Sequence, residues 1–425
     1  MKNQIVHLVT DYYLGSPDFN GLVGSKLSSL EQDSRKLNEA VYELVSEGYL
    51  ALLHDEFTVN KHIFLTSFPT IEMQLGWISA GLLREVCLYP TPLVLNHKVD
   101  HQAYSEEPFR LYLALGHPQL GAILCYPYVL ERYRSDPRYI YQTDDICGHL
   151  VVSDDFFETG NIPECDEIML KRFGFAVSEK GGRAAAAMLR DLAGMSSQHQ
   201  KIWASHIIDG DEIARDGYQL IEDYRRHLRG EPRECCSLTT AFMYEINAIN
   251  EIAKICFDKK LFINDWSDGF DRLNDLTMML RPTRKELDGF IHLLDKTLSD
   301  NLNKKFFEGI VPLEREVTIS PGKVRIESKG TLALLREWLE KDFSSEKNSI
   351  DCCMRALNRV RKERQKPAHV IQPNTYSLQL WLEQHNLLLE VHGGLKALRT
   401  LFEIHFGDPL SVETKRRLAL PISPH

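Results

Sequence analysis

Leu388, Val391, Leu395, Leu398 and Phe402 recur at three- and four-residue intervals, and that stripe commits the stretch from Thr375 to about His405 to one long amphipathic helix. The same spacing appears in Leu238, Phe242, Ile246, Ile249, Ala253 and Cys256, behind Ser237, a residue type that caps helix starts. Thr283 opens a further helical stretch, through ELDGFIHLLDKTLSDNLNKKFFE, despite Gly289. Helical patterning returns at Thr331 (TLALLREWLEKDF) and from Asn348 through Lys366. Ala184 to Leu192 is a run of good helix formers, so helix is expected from about residue 183 onward. The one break is Val317 to Ile326, two short β-branched runs around a Pro-Gly turn, which reads as a hairpin.

The first 180 or so residues are less regular. Leu27, Leu30, Leu37, Val41 and Leu44, ending at Gly48, predict a helix over Leu27 to Leu50. Short apolar runs such as LALLHDEF, HIFLTSF, FRLYLALG and HLVVSDDFF fit strand and helix equally well. At about 150 residues per domain, 425 residues make two or three domains. The expected fold is mainly α, α+β overall. It comprises a mixed region (1–182), a helical middle ending in the hairpin (183–330) and a C-terminal helical bundle (331–425). The tail LALPISPH is expected to be loose.

Hydrophobic residues at 43% and charged residues at 26% describe a packed globular chain rather than a disordered one. No stretch approaches the roughly 20 apolar residues that span a bilayer. The opening MKNQIVHLVTDYYLG is too weakly apolar for a signal peptide, so a cytoplasmic protein without membrane partners is expected. Nine cysteines, two adjacent pairs among them and no CxxC, fit free thiols in a reducing compartment. A net charge of −10 means that any nucleic-acid surface must be a local basic patch.

One such patch exists. Arg355, Arg359, Arg361, Lys362, Arg364 and Lys366 crowd into one short segment with a single acid, Glu363, and the segment ends in R-Q-K-P-A-H. The arginine and histidine separated by four residues, followed by a long amphipathic helix, resemble the R-x4-6-H signature of HEPN domains. These are helical bundles found in prokaryotic RNA-cleaving toxins and antiviral systems. The resemblance covers residues 331 to 410 or so. It departs from the family at Gln365, where Asn, Asp or His is usual. It implies a metal-independent endoribonuclease, a toxin or antiviral effector, acting as a homodimer with both motifs facing one cleft. An antitoxin or sensor partner would restrain it, with residues before about 300 sensing a trigger.

The chemistry suits the residue types. Imidazole titrates near pH 6.5 and can move the proton of a ribose 2′-hydroxyl, while a guanidinium clamps phosphate oxygens through two hydrogen bonds. His369 is then the acid or base, Arg364 the charge clamp and Gln365 an orienting group. Arg355, Arg359, Arg361, Lys362 and Lys366 would meet RNA phosphates, and no metal or cofactor is expected. In an unbroken helix Arg364 and His369 sit about 140° apart, so a kink at Pro367 is expected to swing His369 towards Arg364. The rival reading is a non-catalytic helical dimer or RNA-binding scaffold using the same segment. A third is an enzyme with its site in the N-terminal region.

Other clusters are weaker. His54, Asp55 and His62 lack a helical metal spacing, and Cys147, His149, Asp154 and Asp155 lack a second ligand group. His206, Asp209, Asp211 and Glu212 read as an exposed acidic turn, and Gly181-Gly182 lacks the P-loop Lys-Ser pair.

Overall fold

The structure, a computed structural model, describes residues 1–160, 162–163, 165–266, 276–320, 323–369 and 373–424. It is mainly helical with small antiparallel sheets, an α+β fold as the patterning implies. The chain opens with helix α1 (Lys2–Gly15) and a three-stranded sheet ordered β1 (Leu22–Val23), β3 (Cys87–Pro90), β2 (Leu50–Leu53). Helices α2 (Ser34–Ser46) and α3 (Ile71–Ser79) cover it. The expected helix over Leu27 to Leu50 is shorter at both ends. Asp33 caps α2 by accepting from Arg35 N–H, Gly24–Ser29 forms a 3-10 turn, and Leu50 already belongs to β2.

A second, larger sheet follows. Its order is β4 (Ala122–Cys125), β8 (Arg183–Met188), β7 (Met169–Val177), β6 (Cys147–Val152), β5 (Tyr139–Thr143), with β9 (Gln219–Leu220) paired to the end of β7. The run Ala184 to Leu192 was expected to be helical. Instead, Arg183–Met188 is the strand between β4 and β7, helix begins only at Leu189 (Leu189–Ala193), and Ala184 through Ala187 have no exposed surface. Burial on both faces outweighs alanine's helix propensity here, because the small side chains leave room for a layer on each side. The Tyr224 ring illustrates this: its hydroxyl reaches the Ala186 carbonyl, and a Cβ on Gly174 would strike the ring. Helix α4 (Ser197–Ala204) packs into the same core.

The C-terminal half is a bundle of α5 (Leu238–Phe257), α6 (Arg284–Leu298), α7 (Thr331–Asp342), α8 (Lys347–His369), α9 (Gln379–Phe406) and the short α10 (Val412–Leu418). Ser237 caps α5 by accepting from Thr240 N–H at 3.1 Å, as its sequence position implies. Thr283 caps α6, which stops at Leu298 rather than running to the phenylalanines. There Asn301 and Asn303 turn the chain by bonding Asn264 N–H and Lys305 N–H. Strands β10 (Glu314–Ser320) and β11 (Lys323–Ser328) form the expected hairpin, and its Pro-Gly turn lies outside the described residues.

Packing divides the chain differently from the boundaries at 182 and 330. Apolar cores built from residues between Ile5 and Tyr224, with Leu280 added from the second half, fill the first half, and the boundary at 182 separates two strands of one sheet. A single core then runs from Leu238 to Leu410, so α5 and α6 belong with the bundle. The tail is not loose. Cys236 N–H donates to the Pro421 carbonyl at 2.9 Å and Ser423 N–H to the Cys236 carbonyl at 2.8 Å, tying it beside the start of α5. Among the described residues, no helix is long and apolar enough to cross a membrane.

Candidate functional site

Helix α8 carries every residue of the basic segment. Its buried face is Cys353, Met354, Ala356, Leu357 and Val360, packed against α9, whose stripe Leu388, Val391, Leu395, Leu398 and Phe402 is buried as expected. Pro367 does not end the helix, which runs unbroken to His369. The helical backbone is thus continuous across Pro367, with no restart there. Pro367 lies in the last turn, so its missing N–H costs one terminal bond rather than an interior ladder. Five residues at 3.6 per turn leave positions 364 and 369 about 140° apart, on different faces of α8. The His369 side chain lies outside the described residues.

Arg364 is held from below. Its Nη1 donates to Oδ2 of Asp295 and, at 3.1 Å, to Oδ2 of Asp300. Arg361 spans the same two acids, Nε to Asp295 at 3.2 Å and Nη2 to Asp300 at 3.1 Å. Asp295 closes the last turn of α6 with no exposed surface and also accepts from Ser299 Oγ at 2.7 Å. A carboxylate at a helix C-terminus meets the negative end of the macrodipole, so it needs cations, and α8 supplies two. The hydrogen bond to Asp295 raises the Arg364 pKa above its ordinary value, so its charge is permanent. Only Nη1 is engaged. Among the described residues Nε and Nη2 of Arg364 make no bond, and the side chain keeps 27% of its surface.

The remaining cations separate into two sets. Arg359 pairs with Glu390 of α9, and Lys366 with Glu363 one turn back at 2.6 Å. Arg355 and Lys362 are exposed and have no ion pair among the described residues, and Gln365 is exposed beside them. Helical arithmetic puts positions 355, 359, 362, 366 and 369 on one stripe, with Gln365 one turn before 369. Arg361 and Arg364 point to the Asp295 side instead. The segment therefore has one face anchored to Asp295 and Asp300 and one basic stripe, on which Arg359 and Lys366 are paired and Arg355 and Lys362 are exposed. Beside it, α6, α8 and α9 enclose a cavity of about 310 Å³ whose charged wall includes Arg284, Arg359, Lys366 and Glu383.

Asp295 and Asp300 were not singled out by sequence. Their only signal is two acids at the end of an apolar helical stripe, and nothing local links them to a helix so much later in the chain. The weaker clusters resolve into structure. His54 Nδ1 accepts from Glu56 N–H, Asp209 caps the turn at Asp211, and Glu212 accepts from Tyr126 Oη at 2.8 Å. His206 Nδ1 lies 2.7 Å from the Ile202 carbonyl. Among the described residues no group of three or more His, Cys, Asp or Glu is placed to hold a metal ion. Burial pushes the Cys125 and Cys353 thiols up to about 12, the reverse of what a nucleophile needs. Compared with protein-family models, with curated proteins and with solved structures, the chain matches none.

Proposed function

We propose that the bundle is a metal-independent endoribonuclease of HEPN type, built as a homodimer in which Arg364 of one copy works with His369 of the other. The observation that carries this reading is the one-nitrogen tether of Arg364. Asp295 and Asp300 fix the guanidinium through Nη1 and leave Nε and Nη2 to grip a phosphate. Arg361, by contrast, spends its Nε and Nη2 on the same acids and serves as the structural cation.

The angle of about 140° between positions 364 and 369 argues for a site shared between copies, since one helix cannot present both groups to one phosphate. In the reaction the ribose O2′ attacks the adjacent phosphorus and the P–O5′ bond breaks. His369 takes the hydroxyl proton or returns one to the leaving oxygen, giving a 2′,3′-cyclic phosphate and a 5′-hydroxyl. Gln365, one turn before His369, orients the imidazole rather than Arg364. Arg355, Lys362 and Lys366 guide the RNA along the exposed stripe, while Arg359 and Arg361 act as bundle ion pairs.

On this reading the first half of the chain restrains the effector. Thr239 Oγ1 and Met278 N–H both bond the buried Asp145 carboxylate, and Arg134 pairs with Glu286 at 3.2 Å, so the larger sheet is tied to α5 and α6. A toxin or antiviral role under that restraint, or under a partner protein, follows the same reading.

One observation favours a second reading, a non-catalytic scaffold. Arg359, Arg361 and Arg364 are all paired with carboxylates, which suffices to explain them as packing. Purified protein incubated with total RNA in EDTA separates the two. Cleavage that His369→Ala abolishes supports the ribonuclease, and RNA left whole by the wild type supports the scaffold.

A further inference from the structure

We infer that the β10–β11 hairpin is a self-association arm, and that its β11 edge pairs with β11 of a second copy to make a four-stranded sheet. A lone two-stranded hairpin is marginally stable in water, because each strand has a neighbour on one side only. This one projects from the bundle between Leu313 and Lys329, and both its outer edges are open among the described residues. Every described position of β11 except Glu327 is exposed, including Val324 at 54% and Ile326 at 65%. Open edges carrying apolar side chains are the arrangement that pairs with another strand.

The order of residues in β11 says which strand. Lys323, Val324, Arg325, Ile326 and Glu327 read as their own complement when two copies run antiparallel about a two-fold axis at Arg325. Lys323 then faces Glu327 of the second copy, and Glu327 faces its Lys323. On the opposite face Val324 meets Ile326, and Ile326 meets Val324, so four exposed apolar side chains cover one another. The two Arg325 side chains meet at the axis. Each lies beside its own Glu327, at 3.7 Å, which offsets part of their repulsion. Shifting the register by one residue sets Val324 against Glu327 and loses both the charge and the apolar matches. Because the hairpin leads directly into α7, the same axis brings two bundles together, yet the inference stands without any catalytic reading.

The test is mass by light scattering across a concentration series, with RNA cleavage playing no part. Wild type is expected to approach twice the chain mass of 48.9 kDa at high micromolar concentration. Val324→Lys with Ile326→Lys should raise the dissociation constant by more than about tenfold with an unchanged circular dichroism spectrum, since both residues are already exposed. Lys323→Glu and Glu327→Lys should each be monomeric alone, and an equimolar mixture of the two should dimerise, because opposite charges then face each other. A monomeric wild type overturns the inference. So does a dimer that survives the Val324/Ile326 substitutions, or a charge-swapped mixture that stays monomeric.

Discussion

Asp295, without exposed surface on α6, and Arg364, near the end of α8, form an ion pair that joins two helices far apart in the sequence. Arg361 doubles the contact, so the junction holds two cations over one buried carboxylate, with Asp300 completing it at the surface. Asp295→Ala should cost about 1–3 kcal/mol, because it leaves two guanidinia facing the half-exposed Asp300 alone. Asp300→Ala should cost less, as an exposed partner contributes at most about 1 kcal/mol. Urea denaturation midpoints check both, and equal losses would show that burial of Asp295 is not what matters.

How much of this could be read in advance depends on whether the information is local. Ser237, Thr283 and the stripe from Leu388 to Phe402 set helix starts and a buried face through neighbours three or four residues away, and these are where the sequence placed them. Ala184 to Ala187 misled because their fate rests on β4, β7 and Tyr224, none of which a short local window contains. The tail at Ile422 is held by Cys236, which precedes the whole bundle in the chain. At the site, the basic residues were legible and their division was not. Arg359, Arg361 and Arg364 are anchored by Glu390 of α9, Asp295 of α6 and Asp300 just after it, visible only once those helices pack.

Two adjacent glycines in α9 should respond oppositely. A Cβ on Gly394 would sit 2.8 Å from the Ala356 Cβ and 3.4 Å from the Cys353 backbone, at a close approach of α8 and α9. Gly394→Ala should therefore destabilise, by about 1–3 kcal/mol. Nothing lies within 4 Å of a Cβ on Gly393, so Gly393→Ala should add about 0.5–1 kcal/mol through helix propensity. Thermal midpoints moving the same way would contradict the packing.

Acid should weaken the fold through two histidines. His199 has no exposed surface, and Tyr133 Oη lies 2.8 Å from its Nδ1. Burial is the main cause that lowers its pKa to about 4. Burial, with Lys396 and Arg399 nearby, lowers His392 to about 4 as well. A depressed folded-state value means the unfolded chain binds protons first as pH falls. The stability these groups carry is complete above the unfolded value near 6.5 and drains away as pH falls towards about 4. Urea midpoints should fall between pH 7 and pH 5, and the fall should shrink in His199→Gln combined with His392→Gln. An equal fall in that double variant would assign the acid sensitivity elsewhere.

The shared-site arrangement makes the sharpest claim about mechanism. Arg364→Ala and His369→Ala should each lower cleavage by about 10²-fold or more, since an anion-stabilising donor and a general acid–base group each contribute on that scale. Arg364→Lys should fail too, because an ammonium cannot hold Asp295 and still offer a planar fork. Arg355→Ala with Lys362→Ala should weaken RNA binding and flatten its salt dependence, leaving turnover at saturating RNA unchanged. Mixing the Arg364→Ala and His369→Ala proteins then separates cis from trans. If each site takes its arginine from one copy and its histidine from the other, a mixed dimer rebuilds one intact site. With random exchange of copies, about a quarter of wild-type activity returns. Cleavage that never recovers on mixing, while each single variant is inactive and dimeric, would place both groups in one chain and overturn the shared site.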